Sequence, residues 1–269
     1  MNRLPGRLVL LGQPVSHSLS PRFQNAALRA AGIPLVYEAL DVAPHALAST
    51  LASLARDDAS GNVTIPHKEA VAALCARRSP LADRCGAVNT FWHENGTLIG
   101  DNTDVGGVDA ITGALLGETR SSARVALLGA GGSAAAVLAA AERWGSARVR
   151  LYNRNMERAH ALASRFVDSV EVVSSMHEAL DGATLVVNAT PVGLHDDDFP
   201  VAVARLPKGA AVFDLVYRTG ETAWVRAARN AGHRAADGEG MLVEQGALSF
   251  KLWFGIEPDR NAMWSALHN

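Results

Sequence analysis

The chain has 269 residues, long for one compact domain and comfortable for two modest ones. Hydrophobic residues make up 48% and charged residues 19%, with a formal net charge of -2. That balance allows a sizeable core and gives no electrostatic basis for nucleic acid or an anionic membrane as partner. No apolar run is long enough to cross a bilayer, and the stretch Leu8 to Leu11 is too short for a signal-peptide core. Cys75 and Cys85 match no CxxC or zinc spacing and read as buried reduced thiols. The expectation is a soluble cytoplasmic protein.

Arg7 to Leu11 reads as the first strand. Ser20-Pro21 then offers an N-cap followed by Pro at the first helical position, and the helix runs to about Ala31, where Gly32 stops it. Val36 to Val42 reads as a strand, His45 to Arg56 as a helix, and Asn62 to Ile65 as a short strand broken by Pro66. Val88 to Trp92 and Thr97 to Ile99 form a hairpin around Asn95-Gly96. The pattern then changes. The apolar strand Arg124 to Leu128 ends in four small residues and is followed by an Ala-rich helix to about Trp144. Next come the strand Arg148 to Tyr152, a helix from Met156 to Phe166, and strands at Val170 to Val173, Thr184 to Asn188 and Ala211 to Leu215. Such βαβ alternation predicts a parallel sheet with helices on both faces. Helices at Leu242 to Trp253 and Ala262 to Leu267 close the chain. The expected division is 1–105 plus 240–269 for one domain and 106–239 for the other.

Gly129-Ala130-Gly131-Gly132-Ser133-Ala134 fits G-x-G-x-x-(G/A), after a strand and before a helix, the context the motif requires. Glycine permits the tight turn and lets backbone N–H groups approach a pyrophosphate at the helix N-terminus. NAD-binding folds place a carboxylate about twenty residues on, against the ribose 2′-hydroxyl. Here the next strand ends in Asn153-Arg154, with Arg158 one helical turn later. Guanidinium groups there suit a 2′-phosphate, so the reading is NADP rather than NAD.

Four polar loop motifs crowd the first hundred or so residues: Gly12 to Pro21 (GQPVSHSLSP), Asn62 to Lys68 (NVTIPHK), Gly86 to Thr90 (GAVNT) and Gly100 to Asp104 (GDNTD). Each alone could be turn or cap chemistry. With Asn188 to Leu194 (NATPVGL), Asp214 to Tyr217 (DLVY) and Asp237 to Gly246 (DGEGMLVEQG), then Phe250 and Trp253, the chain resembles the shikimate/quinate dehydrogenase family over nearly its whole length.

The resemblance implies two α/β domains around a cleft: an N-terminal substrate domain and a Rossmann-like dinucleotide-binding domain. It implies that Ser18 and Ser20, with Tyr217, hold a substrate carboxylate, that Thr64, Asn89 and Gln245 contact ring hydroxyls, and that Lys68 and Asp104 are the catalytic pair. Gly129, Ala130, Gly131, Gly132, Ser133, Asn153, Arg154, Arg158 and Thr190 would bind the cofactor, with the nicotinamide near Leu215, Gly238 and Met241. The implied reaction is hydride transfer between shikimate and 3-dehydroshikimate with NADP, without a metal, by a monomer or homodimer. Moving a hydride to nicotinamide requires a proton to leave the alcohol, which a lysine beside an aspartate can relay.

Two positions depart from the family's usual pattern: Gln24 stands where His usually precedes Asn25, and Thr219 where a proline usually follows Tyr217 by two. Quinate or aminoshikimate turnover remains an alternative, with Ser20 favouring shikimate over quinate, which carries an extra hydroxyl. A catalytically silent NADP-binding sensor is the rival of another class, and the presence of both Lys68 and Asp104 argues against it. His17 reads as a residue that orients its loop, and His195-Asp196-Asp197-Asp198 as a solvated loop rather than a metal site.

Overall fold

The computed structural model describes residues 4–218 and 220–268, so the departure at Thr219 lies outside the described residues. The chain divides into two compact units, Met1–Asp104 with Leu242–Asn269, and Val105–Met241.

The first unit is built on six strands, β1 (Leu8–Gly12), β2 (Tyr37–Asp41), β3 (Ser60–Val63), β4 (Arg77–Arg78), β5 (Thr90–Glu94) and β6 (Thr97–Asp101), in the order β2-β1-β3-β5-β6-β4. β1 pairs in parallel with β2 and β3, while β3–β5 and β5–β6 are antiparallel. The β5–β6 hairpin turns at Asn95 and Gly96, both at positive φ (52° and 75°), the conformation that an Asn-Gly turn supplies at least cost. Val9, Leu11, Val63, Val88 and Phe91 form the core with Leu47, Leu51 and Leu54 of the helix Leu47–Leu54. The helix Ser20–Ala30 packs on the C-terminal helix Arg260–His268.

Several sequence expectations shift here. The third strand lies at Ser60–Val63 rather than Asn62 to Ile65. It is central, between β1 and β5, and Gly61 allows it to lie there: a Cβ on Gly61 would sit 2.0 Å from Val9 O. Ile65, expected as the end of that strand, lies beyond it and is 70% exposed. Leu19, not Ser20, is the N-cap of the first long helix, and Ser20 is its first residue. The Ser20 N–H is instead met by Ser18 Oγ at 3.2 Å. The segment expected as one helix from His45 to Arg56 is an α-helix flanked by two 3₁₀ turns. Helices at Lys68–Leu74 and Pro80–Cys85 also appear, the second capped by Ser79 Oγ accepting from Ala82 N at 3.1 Å.

The second unit holds β7 (Arg124–Leu128), β8 (Arg148–Tyr152), β9 (Val170–Val172), β10 (Leu185–Asn188), β11 (Ala211–Asp214) and β12 (Ala235–Ala236). All pair in parallel, in the order β12-β11-β10-β7-β8-β9. Read from β9, this is the 3-2-1-4-5-6 order of a doubly wound dinucleotide-binding sheet. The helix Gly132–Ala141 is buried from Ala134 to Ala141, and its small side chains let it lie close on β8. Trp224, Val225 and Ala228 of the helix Ala223–Asn230 fill the opposite core with Val186, Val212 and Leu128. Among the described residues no helix is long and apolar enough to cross a membrane, and no cluster of three or more His, Cys, Asp or Glu could hold a metal ion.

Candidate active site

In the first unit, the sites named from sequence gather around one ion pair. Lys68 begins the helix Lys68–Leu74, and Asp104 begins the helix Asp104–Leu116, inside its first turn rather than capping it. Lys68 Nζ lies 2.5 Å from Asp104 Oδ2, and their side chains are 15% and 6% exposed. A pair so withdrawn from water is screened far less than a surface pair. The other Asp104 oxygen accepts from Asn89 Nδ2 at 2.7 Å. Asn89 is oriented by Thr103, whose N–H donates to Asn89 Oδ1 at 2.7 Å. The Asn89 amide nitrogen also faces Gln245 Oε1 at 3.1 Å, while Gln245 Nε2 donates to Leu242 O at 2.7 Å. Lys68, Asn89, Asp104 and Gln245 therefore converge.

Of the remaining substrate-side residues, Ser18, Thr64 and Tyr217 stand on loops and Ser20 opens its helix. Ser18 is half-buried and Ser20 buried. Thr64 is half-buried, and its N–H donates to Leu11 O at 2.8 Å, holding it against the end of β1. A Cβ on Gly12 would meet Thr64 Cγ2 at 2.4 Å, so glycine there lets the Gly12–Pro21 loop approach Thr64. His17, read as orienting that loop, is exposed and makes no hydrogen bond among the described residues. Gln24 donates from Nε2 to Gly246 O at 3.0 Å, tying the first helix to the helix that carries Gln245. Tyr217 is a half-buried residue of the second unit.

In the second unit, Gly129 has φ +105°, and a Cβ there would sit 2.7 Å from Ala189 O and 3.1 Å from Thr190 Cγ2. The turn thus needs glycine for both its dihedral and its close contact. Ala130 is buried, Gly131 is the N-cap, and Gly132 and Ser133 open the helix. Among the described residues, only Arg158 Nη2, at 3.9 Å, lies near the space a Cβ on Gly131 would fill. Arg158 Nε donates to Ala130 O at 2.9 Å, fastening the helix Met156–Ala163 to the glycine turn. Asn153 Nδ2 donates to Asn155 O at 2.7 Å, and Asn155 caps that helix by accepting from Arg158 N at 3.0 Å. Arg154 is exposed, and its guanidinium has no partner among the described residues. The acids at 196–198 lie on an exposed loop, where Asp197 Oδ1 accepts from Arg218 at 2.9 Å.

Thr190 lies two residues past β10 and Leu215 directly follows β11, while Gly238 and Met241 stand in the first turn of the helix Gly238–Phe254. Asn188 holds the first two: its Oδ1 accepts from Thr190 N at 3.0 Å and Thr190 Oγ1 at 2.6 Å, its backbone O accepts from Leu215 N at 2.9 Å, and its Nδ2 donates to Asp214 Oδ1 at 2.8 Å. Burial raises the Asp214 carboxyl above its ordinary value, against the lowering effect of hydrogen bonds from Asn188, Val216 N and Thr222. Asp237 is pushed up to about 6 by burial and then by the charges of Glu239, Glu221 and Asp214, although Glu239 N donates to it. Gly238 N donates to Val216 O at 2.9 Å, and a Cβ on Gly238 would lie 2.4 Å from Leu215 O, so only glycine fits.

Sequence reasoning did not single out Tyr37, Asn62, Thr103, Asn188, Asp214 or Ser249, which hold the named residues in place. Asn62, Thr103, Asn188 and Asp214 fell inside quoted motifs, and the available signal was a polar residue at or beside the end of an otherwise buried strand.

These features define a two-domain α/β protein with one mixed sheet and one doubly wound parallel sheet bearing a glycine turn. The family profile for the shikimate dehydrogenase substrate binding domain matches residues 10–91, that for shikimate / quinate 5-dehydrogenase matches 114–194, and that for the shikimate 5'-dehydrogenase C-terminal domain matches 238–268. The shikimate dehydrogenase (NADP(+)) of Rubrobacter xylanophilus is 44% identical over 268 residues, spanning 96% of this chain and 94% of that protein. The one from Mesorhizobium japonicum is 40% identical over 260 residues, spanning 95% and 93%. The crystal structure of shikimate 5-dehydrogenase from Thermus thermophilus with NADP(H) and shikimate superposes with a TM-score of 0.88 at 38% identity, covering 97% of this chain and 98% of that one. The chain belongs to the shikimate dehydrogenase family.

Proposed function

We propose that this chain is an NADP-dependent oxidoreductase that interconverts shikimate and 3-dehydroshikimate, working in the cytoplasm. The observation that carries the reading is the withdrawn Lys68–Asp104 pair, with Asn89 on the second carboxylate oxygen and Gln245 beside it. The relatives of known name, alike over almost the whole chain, support it. Residues 1–105 plus 240–269 form the substrate-binding catalytic domain, and 106–239 the NADP-binding domain.

The cofactor fits the residues present. The Gly129 turn has no room for a Cβ on one side, the space beside Gly131 is open, and the Arg154 guanidinium is uncommitted. Backbone N–H groups of Gly131, Gly132 and Ser133 at the helix start would take the pyrophosphate, with Ala130 buried beneath the turn. Asn153, Arg154 and Arg158 would surround the adenosine ribose and its 2′-phosphate. Thr190, Leu215, Gly238 and Met241 would border the nicotinamide, which when bound accepts or returns the hydride.

Ser18, Ser20 and Tyr217 offer hydroxyls to the substrate carboxylate. Thr64, Asn89 and Gln245 position the ring hydroxyls. Lys68 relays the proton: as the reacting hydroxyl becomes a ketone, Nζ takes its proton and passes one of its own to Asp104 Oδ2, and both transfers reverse when the ketone is reduced. Asp104 Oδ2 fixes Nζ in position and balances its charge. The ammonium form also stabilises negative charge developing on the oxygen.

The test is reduction of NADP and of NAD, each with shikimate and with quinate, followed by the near-ultraviolet absorbance of reduced nicotinamide. Rapid reduction only with shikimate and NADP is the expected outcome. Equal rates with quinate would replace the narrow substrate by the broader one, and binding of NADPH without turnover would make the chain a sensor.

A further inference from the structure

Behind the residues proposed to touch substrate lies a hydrogen-bonded chain centred on Ser249. Ser249 is fully buried and stands one helical turn after Gln245 on the helix Gly238–Phe254, on the same face. Its Oγ lies 3.0 Å from Gln245 O, 2.9 Å from Asn62 Nδ2 and 3.0 Å from Thr103 Oγ1. Asn62 in turn donates to Asn89 O at 3.1 Å and accepts from Tyr37 OH at 2.8 Å.

Counting protons gives this chain a direction. A serine hydroxyl has one proton, a carbonyl oxygen can only accept, and an amide nitrogen can only donate. Ser249 therefore gives its proton to Gln245 O and accepts from Asn62. Thr103, the third partner, must then be a donor to Ser249. With its single proton committed there, Thr103 Oγ1 faces the Asn89 amide as an acceptor rather than as a donor to Oδ1 at 3.2 Å, sharing the two Nδ2 protons, at 3.0 Å, with Asp104 Oδ1 and Gln245 Oε1. Thr103 N already holds Asn89 Oδ1. One hydroxyl thus ties together the backbone of Gln245, the support beneath Asn89 and the orientation of the Asn89 amide.

We propose that Ser249 is a positioning residue for the substrate: it touches no reacting atom, and sets Asn89 and Gln245 for the ring hydroxyls they bind. This rests on the shikimate dehydrogenase reading above. Losing the hydroxyl leaves Asn62 Nδ2 one acceptor short in a buried place, and frees the Thr103 proton to turn onto Asn89. The Lys68–Asp104 contact does not pass through Ser249, and the glycine turn lies in the other unit. The effect should therefore fall on substrate affinity.

The experiment is steady-state kinetics of Ser249→Ala, with Thr103→Val and Thr103→Ser as a matched pair and thermal unfolding of each. Ser249→Ala should raise the KM for shikimate about tenfold, the scale of lost buried hydrogen bonding, while the KM for NADP stays within about twofold. Thr103→Val should behave alike, and Thr103→Ser, which keeps the hydroxyl, should restore the wild-type value. An unchanged shikimate KM in Ser249→Ala and Thr103→Val overturns the proposal. So does a parallel rise in both KM values with a lowered Tm, the mark of a merely structural role. Should Ser249→Ala not fold, the Thr103 pair decides by the same criteria. A wild-type protein that does not oxidise shikimate refutes the functional reading and takes this inference with it; an active wild type with a flat KM refutes this inference alone.

Discussion

Replacing Lys68 by alanine is the sharpest perturbation of the proposed chemistry. Its Nζ is 2.5 Å from Asp104 Oδ2, and the other carboxylate oxygen already receives Asn89 Nδ2 at 2.7 Å. No other titratable side chain among the described residues bonds to either oxygen, so no second proton carrier is poised to substitute. The loss should include the general acid–base contribution, about 10²–10⁴-fold in kcat. Part of the charge stabilisation of the developing alkoxide is lost as well, about another 10-fold or more. Because Lys68 acts from beside the reacting oxygen, the shikimate KM should move by no more than about fivefold. Asp104→Ala should lose a similar factor, since it removes the group that fixes Nζ. The double variant should be little worse than either single one, because the two act as a unit. The assay is kcat and KM for shikimate at saturating NADP for all four proteins, each checked for folding by its Tm. A kcat for Lys68→Ala within tenfold of wild type, or losses that simply multiply in the double variant, would refute the reasoning.

Arg154→Ala should weaken NADP binding about ten- to a hundredfold, the worth of a charge-assisted contact, and leave NAD almost unaffected; titration with both cofactors checks this, and equal losses would remove the 2′-phosphate role. Gly238→Ala puts a Cβ 2.4 Å from Leu215 O, so the helix start must shift, costing about 1–3 kcal/mol and raising the NADP KM more than that of shikimate. Unchanged stability and cofactor KM would show that the backbone there yields freely. Asp237 has its folded pKa raised from 3.8 to about 6, so between those values the folded state holds more protons than the unfolded state and stability falls as pH rises. Asp237→Asn should therefore match wild type near pH 4 and exceed it above about pH 6.5, by about 1–3 kcal/mol after allowing for residual solvent exposure. Thermal melts across that range test it, and a gap independent of pH would exclude ionisation as the cause.

The second unit was the more legible in sequence. β7, β10 and β11 are short, mainly apolar runs and β8 alternates charged with apolar residues, and the strands expected at Arg124 to Leu128 and Arg148 to Tyr152 have those bounds in the structure. The first unit was harder. β3 is made of Ser60, Gly61, Asn62 and Val63, a poor apolar signal, yet all four are buried because the strand is central and Asn62 finds partners for its side chain. The helices Lys68–Leu74 and Met176–Leu180 are too short to show a helical period, and β12 has two residues.

At the site, the motifs gave the residues but not their couplings. Asn62 and Ser249 stand 187 positions apart, and Asn89 and Gln245 stand 156 apart, distances over which spacing says nothing. The raised acids Asp214 and Asp237 were invisible for another reason: their perturbation comes from burial, which appears only once the strands are paired.

The central claim is direct hydride transfer from shikimate to NADP. It is tested by supplying shikimate deuterated at the carbon that becomes the ketone, with NADP, and weighing the reduced cofactor by mass spectrometry. The account predicts one deuterium in each NADPH formed and a slowed rate if the transfer step limits turnover. Reduced cofactor without deuterium, or none formed at all, would contradict it.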